Sequence, residues 1–144
     1  MSFTVIVLGF FVAFMFGPRE VNAASIINQV GTFPSKDSLM MLHVARESGT
    51  LVVFQLTRAA DGHILFSENI GSDAMRWCFY WDEENRLWAY SSDSGYFASF
   101  TLKPDGTVVK SDVVVDGPRP KCPQPIYDFL PSSLKRGWEG TAVK

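Results

Sequence analysis

The sequence predicts an all-β protein, an antiparallel meander of two four-stranded, blade-like repeats, with an eight-stranded barrel or sandwich as the alternative closure of the same strands. Three observations carry this expectation. Apolar runs of about five to eight residues alternate with turn residues roughly every ten positions. The turns are chemically explicit: Asp61-Gly62, Asp105-Gly106, Ser48-Gly49 and Ser94-Gly95 supply the positive-φ positions of tight hairpins. No segment before the C-terminal tail sustains a helical period.

The first element is not part of that domain. At 144 residues the chain has room for one domain. Part of its apolar content is concentrated at the start, in Phe3, Phe10, Phe11, Phe14 and Phe16. That run is short of the roughly twenty residues a helix needs to cross a bilayer. Gly17-Pro18 breaks it, Arg19-Glu20 follows, and Val21-Asn22-Ala23 places small residues where a signal peptidase inspects them. The order predicts a signal peptide over residues 1–23, cleavage before Ala24, and a periplasmic or secreted product. No Lys or Arg precedes the run, so an uncleaved, membrane-anchored but extracytoplasmic form is the alternative, and a membrane contact is expected only if residues 1–23 are retained.

Residues 24–115 then form the all-β domain, with strands expected near 26–33, 38–45, 50–57, 62–68, 75–82, 86–91, 95–102 and 106–114. Residues 116–144 form a proline-rich tail. Pro118, Pro120, Pro123, Pro125 and Pro131 exclude a regular strand or a long helix. Ile126 to Leu130 is a short apolar patch able to dock on the sheet, with Trp138 as a second anchor; a mobile tail is the alternative.

The turns recur in order. Met41 to Leu56 (MLHVARESGTLVVFQL) and Leu87 to Leu102 (LWAYSSDSGYFASFTL) each carry an acidic-Ser-Gly turn at the same place, then an apolar strand and an Asp-Gly turn. The offset is about 46 residues, near the length of a four-stranded propeller blade. The run from Trp81 to Gly106 resembles a blade of the propellers related to NHL repeats and the SMP-30 lactonases, through its acidic turn, the Leu87-Trp88 pair opening a strand, and the closing Asp-Gly. The resemblance implies a fold. It implies no activity, because the lactonases' metal ligands have no counterparts in this chain.

Alternation along the strand puts Trp77, Phe79 and Trp81 on one face and Arg76, Cys78 and Tyr80 on the other. A hairpin closed by Asp82–Arg86 sets Tyr80 opposite Trp88 and Cys78 opposite Tyr90. Trp77, Tyr80, Trp81, Trp88 and Tyr90 are therefore the candidate binding residues, an exposed aromatic surface for a protein or a sugar; a sheet covered on both sides is the structural alternative. Export makes Cys78 and Cys122 a candidate disulfide, with two buried thiols as the other reading. The tip Asp82-Glu83-Glu84-Asn85 offers oxygen ligands but lacks the spacing of a calcium loop. His43 and His63 form no catalytic motif, and no phosphate loop, zinc spacing, cofactor or metal motif is read.

A net charge of −2 with scattered Lys and Arg excludes an electrostatic footprint for nucleic acid. The leading function class is a non-catalytic exported β-domain, a protein-interaction or self-associating module that can serve as a subunit of an envelope complex. Its expected partner is a protein or a second copy. A small-ligand or carbohydrate binder is the second class. A lactonase or other hydrolase is third, by fold analogy alone.

Overall fold

The strands fall, in chain order, into two separate four-stranded sheets. The computed structural model describes residues 25–93, 95–113 and 122–135; the signal expected over residues 1–23 and the anchor Trp138 lie outside them. The first sheet is an antiparallel meander of β1 (Gly31–Pro34), β2 (Met40–Glu47), β3 (Leu51–Arg58) and β4 (Ile64–Ser72). The second is a meander of β5 (Trp77–Trp81), β6 (Leu87–Ser91), β7 (Tyr96–Leu102) and β8 (Val108–Asp112). The architecture is all-β. The alternative of a closed barrel is not adopted, because β4 and β5 belong to separate sheets joined by the crossover at residues 73–76.

The hairpin residues behave as their chemistry dictates. Gly49, Gly62, Gly95 and Gly106 all adopt positive φ, and Ser48 joins them at 50°. Asp61 accepts the His63 backbone N–H at 3.0 Å, and Asp105 accepts that of Thr107 at 2.9 Å, so each Asp-Gly turn is closed by its own carboxylate. The first strand differs from expectation. It begins at Gly31 rather than near residue 26, because the residues before it serve the other sheet: Ile27 exchanges two backbone hydrogen bonds with Phe79 of β5, at 2.8 and 2.7 Å.

The two sheets pack face to face. Register places Phe33, Leu42, Leu56 and Phe66 in one row across the first sheet, with Val44 and Phe54 beside it. These residues meet Phe79, Trp81, Leu87 and Phe100 of the second sheet in one core cluster. Ala89 and Ala98 are opposite each other in the second sheet and belong to the same cluster, their small side chains leaving room for larger ones from the first sheet. The Phe54 ring uses such space, with centroids 5.0 Å from Phe79 and 5.5 Å from Phe100.

Polar links fix how the sheets are joined. Within the crossover, the Asp73 carboxylate accepts Arg46 Nε of β2 at 2.6 Å and Trp77 Nε1 of β5 at 3.0 Å. Glu68 of β4 accepts the Tyr96 hydroxyl at 2.6 Å and Lys110 Nζ at 2.9 Å, tying the first sheet to β7 and β8. At the opposite end, Lys36 pairs with Glu83, and Asn85 Oδ1 accepts the Asp37 backbone N–H at 2.8 Å. The most demanding contact is at Gly71, whose φ is +104° and where a Cβ would lie 2.6 Å from Asp93 Oδ2. That Asp93 oxygen accepts the Ser72 backbone N–H at 2.7 Å, so the glycine admits the carboxylate that fastens the end of β4.

Gly71→Ala is expected to destabilise the protein by about 2 kcal/mol through strained φ and overlap with Asp93. Chemical denaturation measures it. A midpoint unchanged from wild type would show that the turn at Asp93 moves aside freely, and Asp93→Ser in the Gly71→Ala background should recover part of the loss.

Candidate functional site

The hairpin β5–β6 forms as its residues dictate, with Cys78 opposite Tyr90 and Tyr80 opposite Trp88. The exposed aromatic surface expected on it does not form. Trp77, Tyr80, Trp81, Trp88 and Tyr90 are all buried, none more than 6% exposed. The reason is that both faces are covered. Trp77 and Trp81 join the core between the sheets, while Tyr80, Trp88 and Tyr90 join a second cluster with Cys78, Phe97, Ile126 and Leu130.

That second cluster is closed by the tail. Two short helices, α1 (Gln124–Phe129) and α2 (Ser132–Lys135), follow the proline-rich segment. Pro125 occupies the first turn of α1, where a missing N–H costs nothing. Ile126 and Leu130, one helical turn apart, are 0% and 2% exposed. Phe129 adds an edge contact to Tyr90 at 6.4 Å. Arg76 stacks 4.9 Å above the Phe129 ring and donates from Nη2 to the Phe129 carbonyl at 2.6 Å. The described tail is thus docked on the second sheet.

No disulfide joins Cys78 and Cys122, which corrects the pairing expected from export. Both belong to the cluster beneath the tail, Cys78 fully buried and Cys122 partly so. Burial pushes the Cys78 thiol well above the ordinary thiol range, against the opposing charge of Arg76. The thiolate that attacks a disulfide is therefore suppressed at that sulfur.

The acidic tip has a structural role that spacing alone did not reveal. Asp82 is buried, and its carboxylate accepts four hydrogen bonds. Oδ1 takes the backbone N–H groups of Glu84 and Arg86, both at 2.9 Å; Oδ2 takes Arg86 Nε and Trp88 Nε1, both at 2.8 Å. Burial works against the charge, but the donors from Trp88, Arg86 and Glu84 outweigh it and hold the Asp82 carboxyl below its usual range. Glu83 and Glu84 point into solvent at 84% and 73% exposure. Among the described residues no group of three or more His, Cys, Asp or Glu side chains is placed to hold a metal ion. Trp81 Nε1 is the buried side-chain donor that finds no partner among the described residues.

The outer face of the first sheet presents a different surface. Register aligns Thr32, His43, Gln55 and Ser67 in one row from β1 to β4. His43 Nδ1 lies 3.0 Å from Thr32 Oγ1 and its Nε2 lies 3.0 Å from Thr57 Oγ1. Both ring nitrogens are engaged, one as donor and one as acceptor in the neutral imidazole. His63, in the turn between β3 and β4, is exposed. Flanking the row are Met41, Ala45, Val53, Ile64 and Asn69. A shallow depression of about 520 Å³ runs over this face, lined by His43, Val53, Gln55 and Ser67 and also by the charged Arg46, Glu47 and Glu68.

Comparison of the chain with protein-family models, curated proteins and solved structures found no match.

Asp82→Asn should destabilise the protein by about 2–3 kcal/mol, because the amide nitrogen, in either orientation, faces two of the four donors that the carboxylate now accepts. A carboxyl held below its unfolded value stabilises the fold fully above the unfolded pKa, about 4, and the contribution is lost as pH falls through the folded value. Thermal unfolding followed from neutral pH into acid should therefore fall more steeply for wild type than for the variant. Parallel curves would remove Asp82 as a contributor to acid stability.

Proposed function

We propose that this chain is an exported, non-catalytic β-module that recognises a protein surface, or a second copy of itself, through the outer face of its first sheet. One observation carries the reading. The two central rows of that face, Thr32, His43, Gln55 and Ser67 with Ala45, Val53 and Asn69, contain no Asp, Glu, Lys or Arg, although 19% of the chain is charged. Depletion of charge within a mixed polar and apolar patch distinguishes the centre of a protein interface from ordinary surface.

The internal repeat supports it. At the 46-residue offset, Met41 and His43 on the open face correspond to Leu87 and Ala89, which the second sheet packs against the first. The equivalent positions in one repeat already serve sheet-to-sheet contact. Correspondence of faces also supports the blade-like reading of the two repeats, since blades stack head to tail. The carbohydrate platform loses its support with the burial of the five aromatic rings. Export rests on the apolar run and the Val-x-Ala site in residues 1–23.

A photo-crosslinking residue in place of Gln55 tests the interface in the native compartment. The expected result is one dominant crosslinked species, lost when Val53→Lys is added. Crosslinks no more selective than those from the exposed Lys103 position would reject the interface. Intact mass of the same material reports processing: a chain starting at Ala24 is expected. A retained Met1 on membrane-bound protein would make the module an anchored one.

A further inference from the structure

The fold guards its sheet edges and leaves one broad sheet face uncovered. β1 is four residues long and ends in Pro34, β4 is bulged twice against β3, and β8 carries Lys110 and Asp112. The Phe79 backbone at the centre of β5 is already paired with Ile27. Short, bulged or charged edges resist an added strand. The second sheet has a layer on each of its faces. The outer face of the first sheet remains, and a partner there lies on the sheet rather than extending it.

That face is graded along its strands. Near one end the row Pro34, Met41, Thr57 and Ile64 carries no charge. Leu39 continues it, its carbonyl accepting the Ala59 backbone N–H at 2.9 Å. At 57% and 53%, Leu39 and Ile64 are the most exposed large apolar side chains among the described residues. The other end runs out into Arg46, Glu47 and Glu68. Area decides what kind of partner fits. β2 and β3 have eight residues each, so four strands present roughly 27 by 19 Å, on the order of 500 Å². A sheet of equal breadth laid on it buries about 1,000 Å² in all, the lower bound for a specific interface. A helix about 10 Å wide would cover only half.

We propose that the occupant is a second copy of this chain, packed face to face through the two first sheets about a two-fold axis that runs along the strands. The proposal rests on the reading of this face as an interface and names its partner. An axis in this direction lays β2 on β3 of the second copy and β1 on its β4, with each row over its own equivalent. His43 then meets Gln55 of the second copy, Ala45 meets Val53, and Pro34 meets Ile64, each contact being made twice. The uncharged ends cover each other, and the charged ends lie together at the rim. An axis across the strands would instead set Leu39 and Ile64 over the end that carries Arg46 and Glu47, and burying charge against apolar groups is costly. His43 enters the interface satisfied, because Thr32 and Thr57 already engage both of its ring nitrogens.

Sedimentation of the purified protein should show a dimer. Ala45→Asp and Val53→Lys should each weaken it about a hundredfold or more, because each buries a charge against an uncharged residue of the second copy. Mixed in equal amounts, the two variants should form a mixed dimer in native mass spectra, since the introduced charges then face each other. A monomeric wild type, or a dimer indifferent to both substitutions, overturns the proposal. Two weakened variants that fail to rescue each other overturn the two-fold register and the proposal with it. If circular dichroism shows that Val53→Lys does not fold, Leu39→Lys at its exposed position takes its place, and unchanged dimerisation overturns the proposal. Crosslinking from position 55 separates this partner from the reading beneath it. One product of twice the chain mass supports the second copy. A product of another mass with a monomeric wild type overturns the second copy and keeps the face as an interface, whereas unselective crosslinks reject both.

Discussion

Both faces of the second sheet are apolar, and covering them determines where the rest of the chain goes. β5 reads Trp-Cys-Phe-Tyr-Trp and is buried at every position, as is β6. Antiparallel sheets usually leave one face to water, so a doubly apolar one needs a layer on each side. The first sheet provides one layer, and the docked tail provides the other. Each large side chain so removed from water contributes about 1.5–3 kcal/mol. The first sheet, at the end of the stack, alternates in the ordinary way, with buried Leu42 and Val44 between half-exposed or exposed neighbours.

Charged side chains in this molecule hold turns and junctions. Asp82 closes one hairpin, Asp61 and Asp105 close two others, Asp73 pins the crossover, and Asp93 fastens the end of β4. For Asp73 the carboxyl lies below its usual range because Arg46 and Trp77 donate to it. Glu68 works between the sheets, where burial and the adjoining carboxylate raise the Tyr96 phenol and keep it a donor.

Much of the fold was legible because it was written in local chemistry. Glycine and aspartate marked the hairpins, period-two alternation assigned the faces of β5, and the recurring acidic-Ser-Gly turn showed two repeats. What escaped was non-local. Nothing near Ile27 announces that it pairs with Phe79, some fifty residues away, and nothing in Asp82 announces the Trp88 indole that fills its second oxygen. The open aromatic surface was misread for the same reason: alternation states which side chains share a face but not what lies over it. Ile126 and Leu130 at helical spacing were the available sign that the proline-rich tail would cover that face.

The bridge at Ile27 also bears on how the molecule avoids self-assembly into fibrils. β5 is the edge strand of its sheet, five uncharged residues of which four are aromatic, the composition that stacks readily into cross-β. At its centre, the Phe79 backbone is paired with Ile27 in place of a neighbouring molecule. The closing contact joins positions some fifty residues apart, so its loop costs more entropy to close than the hairpin it protects. The β5 edge is thus guarded at its centre by a distant backbone segment rather than by a charge within its own sequence.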